Sequence, residues 1–167
     1  MELFFQEKFS LKGKVVVTDM NEKPVFVGER GVFFNDYKTY LYDAAAEGKK
    51  KVKIATILQN DSLLNKGYTI KVGKKKVAKL KKKLSLVNQN FKVKGLNWDV
   101  KGNFVAREYT ITKGDEVIAV IKRAKLISLL EGYSVTITND NDAVTVACVV
   151  LVLNRILNDK KNKLFKK

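Results

Sequence analysis

The sequence predicts a mainly β domain, a sandwich or a barrel, built around one buried C-terminal helix. Three observations point there. Short period-two segments separated by turn residues fill most of the 167 residues. One unbroken apolar segment, 143–153, comes last, with Thr145 as its only polar residue. Hydrophobic residues make up 46% of the chain against one proline and ten glycines, enough to build a core and unlike a collagen or a linker.

Taken in order, 15–18 and 24–27 read as strands around the turn 19–22, and 39–42 and 52–57 bracket a loop holding Glu47-Gly48. Segments 68–72 and 77–81 flank Gly73-Lys74, and 91–93 leads to Gly95. Residues 99–100, 104–106, 109–111, 117–121 and 133–137 complete ten to twelve short strands with turn signals every 8–12 positions. Triplets of the form apolar-Ser-Leu recur as Phe9-Ser10-Leu11, Leu84-Ser85-Leu86 and Ile127-Ser128-Leu129, with Asp61-Ser62-Leu63 as a weaker copy. A strand follows each, so one strand–turn–strand unit is reused around a single closed sheet. These serines read as turn or bulge residues, since none sits in a Gly-x-Ser-x-Gly elbow.

The last segment is expected to be a helix over about 141–157. Asn139, Asp140, Asn141 and Asp142 supply the cap and the acids that a helix start favours. Its valines are β-branched, so periodicity alone leaves helix and strand open. About fifteen residues is long for a strand and short of the ~20 that span a bilayer. A segment apolar on every side must be buried on every side, and a helix enclosed by β structure meets all three constraints.

Several chemistries drop out on composition. There is no histidine, which removes the serine and cysteine triads and every histidine metal site. The single Cys148, inside Val146-Ala147-Cys148-Val149-Val150, reads as a buried thiol. The stretch from Gly67 to Lys75 fails as a phosphate loop: five residues separate its glycines, and Lys75 stands where Ser or Thr would bind magnesium. Asp140-Asn141-Asp142 resembles the start of a calcium loop, but no glycine sits at its sixth position, so capping is the expected role. No catalytic residue, cofactor or metal is expected, and the chain is read as a non-enzyme. The first eight residues lack a basic region and an apolar stretch, so no signal peptide is expected, and Asn60-Asp61-Ser62 is read as a chance sequon.

Charge is uneven. Of the net +16, residues 46–95 carry +13 and residues 160–167 carry +5, while 1–45 and 96–159 each carry −1. The densest part, 74–84, holds seven lysines in eleven positions. In a strand, Lys79, Lys81 and Lys83 point outward while Ala78, Leu80 and Leu84 face the core, and Lys82 breaks the inward row, implying a bulge or an edge. Lys74, Lys75 and Lys76 complete the candidate anion-binding site. Lys49-Lys50-Lys51, Lys53, Lys71, Lys92 and Lys94 are close enough in sequence to extend it. Lysine meets phosphate as a point charge without the fork that reads bases. The partners expected are therefore anionic lipid or another polyanion, with sequence-blind nucleic acid or a merely solubilising face as alternatives. No transmembrane span is expected. The location read from this is cytoplasmic, with a peripheral place at the inner membrane surface if lipid is the partner.

The order of Phe9-Ser10-Leu11, Val17-Thr18-Asp19, Pro24-Val25, the central Gly95-Leu96-Asn97-Trp98-Asp99-Val100-Lys101-Gly102-Asn103-Phe104, Tyr109-Thr110-Ile111 and the closing apolar run resembles the LURP-one-related family across nearly the whole chain. The resemblance implies the Tubby-like fold shared with phospholipid scramblases: a closed antiparallel barrel of about twelve strands around a central hydrophobic C-terminal α-helix. Tubby relatives bind phosphoinositide headgroups, but their lipid-binding residues do not map onto this sequence. The expected organisation is one domain over 1–159 and a flexible basic tail over 160–167.

Overall fold

A computed structural model describes residues 1–8, 13–31, 37–45, 51–60, 67–82, 90–103, 106–125 and 131–164. Twelve strands follow in order: β1 (Glu2–Lys8), β2 (Lys14–Thr18), β3 (Pro24–Arg30), β4 (Lys38–Asp43), β5 (Val52–Asn60), β6 (Gly67–Val72), β7 (Lys75–Lys82), β8 (Phe91–Lys94), β9 (Trp98–Asn103), β10 (Glu108–Lys113), β11 (Glu116–Lys125) and β12 (Glu131–Ile137). Each pairs antiparallel with its sequence neighbours, and β1 closes the barrel against β12, with Leu3 opposite Val135 and Phe5 opposite Tyr133. The sheet therefore has no edge to protect.

Alternation builds the wall. Leu3 and Phe5, Ala55 and Ile57, Ala78 and Leu80, Phe91 and Val93, and Trp98 and Val100 are all buried and point inward, with the intervening residues on the outer surface. Strand β1 was not expected from the sequence, although Leu3 and Phe5 carry its inward period. Residues 104–105 of the strand expected at 104–106 lie outside the described residues. Ala106 and Arg107 form the turn into β10, where the Ala106 N–H donates to Asn103 Oδ1 at 3.2 Å. The serine-centred triplets also lie outside the described residues.

A twelve-strand barrel is too wide for side chains alone to fill. Helix α1 (Ala143–Leu164) fills it. Every residue from Val146 to Leu153 is at most 6% exposed, so all faces of two turns are enclosed. Leu151 packs against Gly28 of β3, where a Cβ would sit 2.9 Å from its two methyl carbons, so the glycine makes room for the helix. Asn139 caps the short 3₁₀ turn Asp140–Asp142 that precedes α1, its side chain accepting from the Asn141 N–H. The expected capping role of this acidic stretch is thus filled by Asn139. Cys148 is fully buried, and desolvation pushes its thiol pKa up to about 12.

The helix begins close to the expected position but continues past 157 to Leu164, into the segment read as tail. At 1.5 Å per residue, 22 residues reach about 33 Å, more than tilted strands of four to ten residues enclose. Its C-terminal turns therefore leave the barrel. Because neighbouring strands alternate in direction, the connections β1–β2, β3–β4, β5–β6, β7–β8, β9–β10 and β11–β12 all lie at this far end, and α1 begins at the near end. At the far mouth, Arg155 donates to Thr39 Oγ1 at 3.3 Å and Asn158 Nδ2 donates to Glu7 Oε1 at 3.0 Å.

Candidate anion-binding face

Strands β6 to β9 carry the lysine-rich surface. In β7, Ala78 and Leu80 are buried, and Lys79 and Lys81, which alternate with them, lie on the outer face, as the period-two reading expects. The register to β8 places Lys79 opposite Lys94 and Lys81 opposite Lys92. Partners across an antiparallel pair are ~5 Å apart and alternate residues along a strand ~7 Å, so four lysines root at the corners of a small rectangle. Two like-charge pairs set directly opposite each other oppose sheet formation and attract anions. Asp99 tempers them: Lys92 Nζ donates to Asp99 Oδ2 at 2.9 Å.

Toward the near end the face continues through the β6–β7 hairpin. Lys71 stands opposite Lys76, Lys75 opposite Val72, and Lys74 occupies the turn after Gly73 (φ +57°), with Lys74, Lys75 and Lys76 exposed. The sequence reading expected a bulge or an edge at Lys82; the register shift within β7 falls at Val77. Ile70 pairs with Ala78 and Lys71 with Lys76, leaving Val77 unmatched, and this extra residue keeps Lys76 on the outer side with Lys79. Lys82 is the final residue of β7, opposite Phe91. Lys83, the remaining predicted site residue, lies outside the described residues.

Not every nearby lysine joins. Lys51 is engaged by Glu29 and lies 5.5 Å from the Tyr42 ring centroid, and Lys53 lies 5.3 Å from that of Tyr40. These two cover the tyrosines of β4, and Glu29, buried on the outer surface, takes Lys51 as its counter-ion. Lys49 and Lys50 lie outside the described residues. On the other flank the surface passes into an open groove of about 540 Å³, lined by Asn90, Lys101, Asn103, Glu108, Thr110 and Lys122. The sequence reading did not single this groove out. Its residues come from β9, β10 and β11 and the residue before β8, and only the register aligns them.

The LURP-one-related family model matches residues 1–154, from β1 into the enclosed part of α1. The chain belongs to the LURP-one-related family. It is 29% identical to the uncharacterized protein YxjI of Bacillus subtilis (strain 168), over 99% of each chain. An X-ray structure of a protein from Arabidopsis thaliana superposes with a TM-score of 0.66 at 18% identity, covering 93% of this chain and 91% of that one. At that identity the likeness shows the fold: the closed Tubby-like barrel around a C-terminal helix that the resemblance implied. Among the described residues, no helix is long and apolar enough to cross a membrane, and no cluster of acidic or sulfur side chains could hold a metal ion.

Proposed function

We propose that this LURP-one-related barrel is a non-enzymatic binding protein that takes anionic phospholipid headgroups, or another polyanion, on its lysine-rich outer face. The carrying observation is the pairing of Lys79 with Lys94 and Lys81 with Lys92, next to the exposed Lys74–Lys75–Lys76 hairpin. Such a surface concentrates anions without fixing their geometry, because lysine offers a mobile point charge. A cytoplasmic protein resting on the inner membrane surface fits this reading.

The test converts Lys79, Lys81 and Lys83 to Glu, lowering the net charge from +16 to +10. Folding should survive, since Lys79 and Lys81 lie on the outer face. Flotation with anionic vesicles should weaken at least tenfold, and its salt dependence should flatten. Retardation of DNA and RNA at several salt concentrations runs in parallel: tighter binding there at equal charge concentration makes nucleic acid the partner. Unchanged binding of every polyanion by the variant reduces this face to a solubilising surface.

A further inference from the structure

The groove beside the lysine-rich face has a charge order of its own. Strand β10 runs along its centre, with β9 and β11 on either side. Thr110 pairs with Lys101 of β9 and with Val120 of β11, and Glu108 pairs with Asn103. Tyr109 pairs with Ile121, so Glu108 and Lys122 are the next positions toward the far end on adjoining strands. Tyr109 and Ile121 are buried, which turns Glu108 and Lys122 outward, and Lys101 follows the buried Val100 in the same way. The short, half-buried Thr110 and Val120 lie among these longer side chains and leave the hollow of about 540 Å³.

The groove is therefore ordered cation, carboxylate, cation. Lys101 and Lys122 root at opposite corners, two strands and two residues apart, or ~12 Å. Glu108 roots between them, ~5 Å from Lys122 across the strands. All three are exposed. Among the described residues, none of the three is held in an ion pair, whereas Lys92 is held by Asp99 and Lys51 by Glu29.

We infer that this groove takes a ligand in which a protonated amine lies between two anionic groups: the phosphoserine headgroup of a lipid, or a free phospho-amino acid of the same order. For a lipid source it rests on the headgroup reading above, although other residues form the site. The phosphate and the carboxylate of such a ligand meet the two lysines, whose flexible stems close the remaining distance. Its ammonium donates to Glu108. Asn90 and Thr110 add neutral hydrogen-bonding groups for the ester oxygens. Phosphoglycerol has no amine and sets its negative charge against Glu108. Phosphoethanolamine has no carboxylate and leaves one lysine unanswered.

The deciding variant is Glu108→Gln, because charge attraction and groove binding give it opposite signs. It raises the net charge from +16 to +17, so a surface that answers only to charge holds every anionic vesicle more tightly. A groove that pairs Glu108 with an amine holds phosphatidylserine more weakly. Binding is measured to phosphatidylcholine vesicles carrying about a third phosphatidylserine, or the same share of phosphatidylglycerol, which has equal net charge and no amine. The wild type should prefer phosphatidylserine about fivefold, and Glu108→Gln should bring that ratio to about one by weakening phosphatidylserine alone. Lys101→Gln/Lys122→Gln is the second probe and should remove the same preference. Its lower net charge cancels from the ratio. Titration with free O-phosphoserine, against O-phosphoethanolamine and glycerol phosphate, separates the sources. A phosphatidylserine preference that O-phosphoserine competes away, and the other two do not, marks the lipid. Saturable binding of O-phosphoserine that Glu108→Gln abolishes, in a protein that no vesicle holds, marks the free phospho-amino acid and removes the lysine-face reading instead. Equal binding of both vesicles with no binding of O-phosphoserine overturns the groove site. The lysine-face reading then still stands if Lys79→Glu/Lys81→Glu/Lys83→Glu weakens both. Tighter binding of both vesicles by Glu108→Gln overturns the groove site as well.

Discussion

Val149→Asp tests the enclosed helix most directly. Val149 is 0% exposed on a helix with no solvent-facing side over two turns. Removing the valine forfeits about 2 kcal/mol of apolar burial. A carboxylate there has no room for water, and full burial raises carboxyl pKa values by roughly 3–5 units; at pH 7 the buried group takes up a proton instead of ionising, so the linked cost is about 4 kcal/mol. The total, about 6 kcal/mol, rivals the whole stability of a domain, ~5–15 kcal/mol. The charge penalty has a pH signature. Because the folded-state pKa is raised, destabilisation grows from pH 4 up to that raised value, and it shrinks by ~1.4 kcal/mol per unit as pH falls from 7 toward the unfolded value near 4. Thr145→Asp is the control: the same side chain one turn closer to the helix start, half-buried, where the dipole favours an acid. Thermal melts followed by circular dichroism should show Thr145→Asp within about 1 kcal/mol of the wild type and no cooperative transition for Val149→Asp at pH 7. A Val149→Asp protein that melts cooperatively at pH 7 within a few degrees of the wild type would refute the enclosed helix.

Other expectations come from single positions. At Gly102 a Cβ would lie 2.2 Å from the Glu108 carbonyl oxygen and 2.5 Å from Tyr109 Cδ1, so Gly102→Ala must move the backbone of β10. It should cost about 3 kcal/mol, seen as a fall in melting temperature of roughly 6–12 °C, and a shift under 2 °C would contradict the packing. Cys148, with its pKa raised by burial from 9.0 to about 12, holds its proton more tightly when folded. Its contribution to stability is complete below pH 9 and is lost at ~1.4 kcal/mol per unit as pH rises from there toward 12. Denaturant melts at pH 8 and 10 should therefore differ less for Cys148→Val than for the wild type, and the native thiol should resist Ellman's reagent until unfolding.

Much of the barrel is legible because its determinants are local. The alternation of Ala78, Lys79, Leu80 and Lys81 fixes which way each side chain points before any partner strand is known. The helix is legible for a similar reason: eleven nearly unbroken apolar residues after a capping cluster have only one stable environment. Strand β1 was missed because Phe4 fills an outward position in its pattern and hides the period set by Leu3 and Phe5. Of the strand expected at 104–106 only Ala106 is described, and it sits in a turn, its N–H donating to Asn103 Oδ1. Register was not legible. A single unmatched residue, Val77, decides that Lys71 faces Lys76, and the pairing of Glu29 with Lys51 depends on how β3 and the start of β5 line up on either side of β4.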